Sequence, residues 1–132
     1  MERLLVVWCP GILEEQEHGR EARVFGAVVA ALEAFATHVD PVRPGVCAVP
    51  TRGPSRYFGG DEVLARMAAD AVARETAADA VARETAADAV ARETAADAVG
   101  VGVADGLFAA VLAARAALGR GPVIVPAGET PS

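Results

Sequence analysis

Few residues in this chain could do chemistry, and they are poorly matched. The histidines are His18 and His38, and the cysteines are Cys9 and Cys47. Neither histidine has a partner at zinc-ligand spacing, and both fall near polar or loop segments, so exposed side chains are expected. A Cys–His nucleophile needs its base held against the thiol, and nothing local joins His38 to either cysteine. In apolar, strand-like surroundings the cysteines read as buried free thiols, with neither a metal motif nor a disulfide framework. Gly100-x-Gly102-x-x-x-Gly106 lies between an apolar run and a helical one, where phosphate cradles occur. It is one residue out of register for a dinucleotide fingerprint, so a tight strand–helix turn is the expectation. Two-metal phosphoryl transfer needs carboxylates that hold two cations about 3.5–4 Å apart. The stretch His38-Val39-Asp40-Pro41-Val42-Arg43-Pro44-Gly45-Val46-Cys47-Ala48-Val49-Pro50 has a single acid, Asp40, five residues before Gly45. No catalytic residue, metal ligand or cofactor is expected.

The elements that would position these residues are short. At 132 residues and 53% hydrophobic the chain fits one folded domain. Much of that apolar fraction is Ala, which predicts a thin core. Residues 3–9 read as a buried strand. Glu21 to Phe35 reads as an amphipathic helix with Val24, Phe25, Val28, Val29, Leu32 and Phe35 on one side. Pro44 and Gly45 interrupt 42–49, predicting a bent or edge strand. Asp61 is placed to cap a long helix, and Asp105 to cap another over about 107–118 that Gly119 stops. Gly100 to Ala104 and 122–126 supply the last two short strands, with a loose tail after Ala127. The order β-α-β-(β)-α-β-α-β predicts a two-layer α/β (α+β) arrangement of ferredoxin-like type. No membrane span is expected, and Met1 to Cys9 is too short for a secretory signal. A reducing, cytoplasmic compartment fits the cysteine usage.

Ala68-Ala69-Asp70-Ala71-Val72-Ala73-Arg74-Glu75-Thr76 recurs identically at 77–85 and 86–94 and begins again through Val99. Fifteen of the 32 residues in 68–99 are Ala and none is Gly or Pro, so a helix inserted within the domain is expected. Nine residues turn about 900°, which sends Val72 and Val90 to one side and Val81 to the other. No continuous apolar stripe results, which disfavours a coiled coil. Eighteen residues make about five full turns, so two added copies restore the chain's direction. A single helix from Asp61 to Val99 would span about 58 Å, against a radius of gyration near 14 Å for a domain of this size. It is expected to project, with self-association through 68–99 the next possibility. This stretch carries a charge of −4 of the total −6. Clustered positive charge is missing, so weak or no autonomous DNA binding is expected.

The same residues carry a family resemblance. Active Y-family DNA polymerases have a segment close to V-E-P-Y-S-I-D-E-A-Y-L-D-L-T-G. Laid over Val39 to Gly53 without a gap, its Asp-Glu pair falls on Gly45 and Val46. Arg3 to Pro10 resembles the family's first strand, with Trp8 where the first metal-binding Asp would stand. Arg20 to Phe25 is similar to the helix before the hairpin, and Gly100 to Ala110 resembles the family's G-I-x-x-N-K-x-L-A-K segment. The resemblance is to the palm of the non-catalytic ImuB-like branch, which acts in bacterial mutasomes. It implies a degenerate former metal site at Trp8, Gly45 and Val46, and no enzymatic activity. It also implies a scaffold in DNA-damage-induced (SOS) translesion synthesis. Its partners would be an error-prone C-family polymerase, a RecA-like accessory protein and a sliding clamp. Arg56, Tyr57 and Phe58 form a possible partner surface, although packing of Tyr57 and Phe58 under the sheet is the first expectation. Between Pro10 and Gly19 there is no room for a fingers domain, and the chain ends before a thumb, little finger or clamp-binding tail. It therefore reads as a single truncated palm over 1–132, from which clamp binding and DNA grip are not carried over. The alternative is a rearranged or engineered fragment whose long repeat helix is its purpose.

Overall fold

Strand β1 (Arg3–Trp8) is covered on both faces, and the other elements are arranged about it. The computed structural model describes residues 2–9, 18–36, 38–43, 45–83 and 99–128. After β1 come α1 (His18–Glu33), β2 (Asp40–Arg43), β3 (Val46–Pro50), α2 (Pro54–Phe58) and α3 (Asp61–Arg83). They are followed by β4 (Gly100–Asp105), α4 (Leu107–Ala116) and β5 (Val123–Ile124). The result is a mixed α/β fold with one five-stranded sheet of order β2-β3-β1-β4-β5. The first four strands run antiparallel to their neighbours, and β5 runs parallel to β4. Gly45 lies in a turn at φ 83° before β3, and β2 and β3 are two paired strands in place of the one bent strand expected. A side chain at that φ would be strained, which suits glycine.

The period-2 alternation of β1 divides the core. Leu5 and Val7 point to one face with Cys47, Val49, Val101 and Val103 from the neighbouring strands. Helices α1 and α3 cover this face with Val28, Leu32, Leu64, Ala65, Ala68 and Val72. Val6 points to the opposite face, with Val46, Ala48 and Ala104, and there α4 brings Ala110 and Ala114. The two-layer expectation is therefore corrected: helices lie on both faces. The sequence of α4 obscures this, because its buried positions are alanines while Leu107, Phe108 and Leu112 are exposed. The helix gets close enough to bury alanines because β4 presents glycine beneath it. A Cβ on Gly102 would stand 2.2 Å from the Ala114 backbone nitrogen, and one on Gly100 would stand 1.9 Å from the Ala114 carbonyl oxygen. Close approach, and not a phosphate cradle, accounts for those glycines.

The repeat helix is described only as far as Arg83, so the expectation for 84–98 lies outside the described residues. The first copy does not project. Leu64, Ala68 and Val72 are spaced four apart, and the buried face formed before the repeat continues into it. No helix among the described residues is long and apolar enough to cross a membrane.

Two caps differ from expectation. Gly60 accepts the first bond of α3 from Leu64 N–H at 3.0 Å, so Asp61 is already inside the helix. Its carboxylate accepts instead from Arg3 Nε at 2.5 Å and Ser55 Oγ at 2.5 Å. At α4 the cap residue is Gly106, and Asp105 accepts from Arg3 Nη1 at 3.1 Å and from Gly128 N–H at 2.8 Å. Arg3 also donates to the Val125 carbonyl at 2.5 Å. One half-buried guanidinium thus joins the start of α3, the end of β4 and the exit of β5.

These contacts set measurable limits. Gly102→Ala should lower stability by about 3 kcal/mol in denaturant unfolding, because α4 must move off the sheet. Gly26→Ala, in α1 with open space around the new methyl, should raise it by up to about 1 kcal/mol. The Gly128 N–H, then Arg3, hold the Asp105 carboxyl below its ordinary 3.8. A carboxyl lowered by folding contributes stability above that value, and the contribution is lost as pH falls through its folded pKa. Asp105→Asn should therefore be less stable at neutral pH yet lose less between about pH 5 and pH 2, as read by chemical denaturation. Arg3→Ala should cost about 2 kcal/mol at neutral pH.

Candidate functional site

The strand pairing of β1 brings together the three residues that the sequence singles out. Trp8 is directly opposite Val46 on β3 and opposite Gly100 on β4. The next pair along is closed by the Cys9 N–H donating to the Gly45 carbonyl at 2.7 Å. In an antiparallel ladder this makes Trp8–Val46 the close, non-hydrogen-bonded kind of pair, with Cα atoms about 4.5 Å apart. Both side chains belong to the α4 face of the sheet.

Two further residues meet there. The Arg43 guanidinium, from the end of β2, lies 5.2 Å from the centre of the Trp8 ring, and that of Arg115, from α4, lies 5.5 Å away. Each cation–π contact at an exposed site is worth about 0.5–1 kcal/mol. Sequence reasoning missed both arginines. Arg43 was not legible, because an irregularity in the pairing between Pro41 and Arg43, which no local pattern announces, sets it opposite Val46 and so beside Trp8. Nor was Arg115, because only the docking of α4 on the sheet brings it to Trp8. An indole, a valine, a glycine and two guanidiniums offer a divalent cation no side-chain oxygen and repel its charge. Asp40 pairs with Ala48, further along the hairpin from Val46. Among the described residues no group of three His, Cys, Asp or Glu side chains is placed to hold a metal ion.

The second candidate surface lies at the other end of β3. Phe58 is partly buried and meets Phe35 edge-on at 6.2 Å and Tyr57 at 4.8 Å. Tyr57 itself is 83% exposed, and Arg56 is exposed beside it. The expectation that both rings pack under the sheet is thus corrected for Tyr57. The α2 helix is five residues long and offers the core one inward side for an aromatic, which Phe58 takes. Between α2 and the end of α1 runs an open groove of about 450 Å³ lined by Glu33, Phe35, Gly53, Pro54, Tyr57 and Phe58.

Among the described residues no nucleophile is assembled. Cys9 and Cys47 are buried free thiols, and burial pushes each up to about 12, with Cys47 adding to the effect on Cys9. His38 is exposed, whereas both thiols are buried. The cradle reading of Gly106 also fails locally, since its N–H donates to the Glu2 carbonyl at 2.7 Å. The thiol values have a sign. A group raised by folding contributes stability that is full below its ordinary 9.0 and lost as pH rises toward about 12. At pH 8 iodoacetamide should alkylate both cysteines at least about 100-fold more slowly in the native protein than in denaturant, because little thiolate is present. Comparable rates measured by mass spectrometry would contradict their burial.

Comparison with protein-family models, with curated proteins and with solved structures finds no match.

Proposed function

We propose that this chain is a non-catalytic, palm-like scaffold of the ImuB-like branch of Y-family polymerase relatives, acting in damage-induced translesion synthesis. One observation carries the reading. Trp8, Gly45 and Val46, taken as metal-site positions from the resemblance alone, come together at the paired ends of β1 and β3. A chance resemblance gives no reason for residues 37 or more positions apart to meet at one ladder step. The connectivity β1-α1-β2-β3-α3-β4, with strand order β2-β3-β1-β4 and α1 and α3 on one face, supports a ferredoxin-like palm. On this reading α4 and β5 are an addition that covers the second face.

With no side-chain oxygen to bind a catalytic metal, the retained sheet serves as a platform for protein partners. Arg56 and Tyr57 beside the α2 groove have the composition of a binding hot spot, an exposed aromatic with an adjacent arginine. The partners are those of the branch: an error-prone C-family polymerase and a RecA-like accessory protein. A sliding clamp would require a tail segment.

The alternative, a rearranged or engineered fragment whose repeat helix is its purpose, draws on the identity of the three copies in 68–94. Two measurements separate the readings. The purified chain should show no template-dependent primer extension with magnesium or manganese, and any such incorporation would overturn the scaffold assignment. A tagged chain should retain the polymerase or the RecA-like protein from its own genome. Tyr57→Ala should weaken that retention at least about tenfold, whereas deletion of residues 77–94 should leave it intact. Retention lost with the deletion and indifferent to Tyr57 would favour the repeat-helix reading.

A further inference from the structure

The two arginines on Trp8 have no place in the scaffold reading. Two like charges gathered at one ring repel each other, and each indole contact returns only about 0.5–1 kcal/mol. Cations brought together in this way usually have an anion to share. Two arginines elsewhere do: Arg3 holds Asp61 and Asp105, and Arg66 holds Glu62, whereas the exposed Arg52, Arg56 and Arg120 have no carboxylate partner among the described residues. Arg43 and Arg115 are paired with no carboxylate among the described residues, in a chain whose net charge is −6. Both side chains are exposed and lie over the Trp8 ring, and Trp8 itself stands opposite Val46 and Gly100 in the sheet.

We propose that Trp8, Arg43 and Arg115 form a binding site for a phosphate-type oxyanion, best filled by a pyrophosphate group. A guanidinium is a planar fork that matches the oxygens of a phosphoryl group two at a time. Since both forks reach the same ring, a diphosphate can take one on each phosphoryl. The indole holds the guanidiniums in place before the ligand arrives, which reduces the ordering cost of binding. Stacking of a nucleobase is a different chemistry and is not favoured here, because the guanidiniums already occupy the ring. A long nucleic-acid backbone is also a poor fit, since tracking successive phosphates needs more clustered cations than two. The site depends only on the contacts at Trp8, so it stands whether or not the chain descends from a polymerase.

Trp8 is the single tryptophan, so its fluorescence reports on this place alone. The full chain is titrated with sodium pyrophosphate at low ionic strength, against sodium chloride at matched ionic strength. Equilibrium dialysis with radiolabelled pyrophosphate provides a readout that does not depend on the indole. A saturable fluorescence change and saturable dialysis binding are expected, weaker for inorganic phosphate and weakened further by added salt. Arg43→Gln and Arg115→Gln, both at exposed positions, should each reduce affinity about tenfold, and the double variant should abolish binding. Arg120→Gln, on the loop after α4, should change nothing. No saturable dialysis binding up to about 10 mM pyrophosphate would overturn the proposal. So would equal binding by the double variant, or an effect that sodium chloride reproduces. None of these results bears on primer extension or partner retention, so failure here is distinguishable from failure of the scaffold reading.

Discussion

Everything in this structure depends on the register of β1. It is paired on both sides, with Leu5 facing Val49 on β3 and Val103 on β4. Both ends of that register are closed by backbone bonds beyond the strand: Cys9 to Gly45 at one end, Thr51 to Arg3 and Gly106 to Glu2 at the other. A slip of one residue would exchange the two core faces, placing Trp8 among the α1–α3 side chains and Val7 under α4. Because both faces are buried, such a slip has no cheap form. The same register sets Trp8 beside Val46 and Arg3 within reach of Asp105, so the candidate site and the ionic hub sit at opposite ends of one strand.

The two faces are stabilised differently. Toward α1 and α3 the core is made of leucine and valine, and Leu5, Leu32 and Leu64 are among its largest fully buried side chains. Burial of such side chains is worth about 1.5–3 kcal/mol each. Toward α4 the contact is mostly alanine over glycine, with little apolar area per residue but close approach of backbone to backbone. Dispersion between well-packed atoms then matters more than area. Such packing tolerates no added atoms, which makes Gly100 and Gly102 the most constrained positions in β4.

Charge is distributed by the same logic. Two of the acids near the sheet, Asp61 and Asp105, are held by Arg3, while Asp40 on β2 is exposed. At the other end the guanidiniums of Arg43 and Arg115 lie over Trp8, and neither has a carboxylate partner among the described residues. A protein that is acidic overall can therefore present a locally cationic point without becoming a nucleic-acid binder in bulk.

Much of this was legible in the chain itself. Short apolar runs marked β1 and β4, the segment 42–49 read as one bent or edge strand, and the 3.6-residue spacing of Phe25, Val28 and Leu32 marked α1, because local pattern follows from which side is buried. The burial of Cys9 and Cys47 followed from their apolar surroundings, whereas the hairpin framing of 40–50 came from the family resemblance. Other features were not legible. Asp61 and Asp105 have the composition of caps, but a partly buried guanidinium competes for their carboxylates, and Arg3 is 58 and 102 positions away. Tyr57 and Phe58 are adjacent aromatics of similar size, and only the orientation of the short α2 decides that Phe58 packs while Tyr57 faces solvent. The third layer was hidden because α4 buries alanine, a residue whose presence says nothing about which side faces in. Sequence alone determined most of the elements, though not the short α2 or the split of β2 from β3, and the absence of side-chain acids at Trp8, Gly45 and Val46. Tertiary structure decided that those three residues meet, and that Arg43 and Arg115 join them, since a pairing between distant segments depends on register and helix docking that no local pattern encodes.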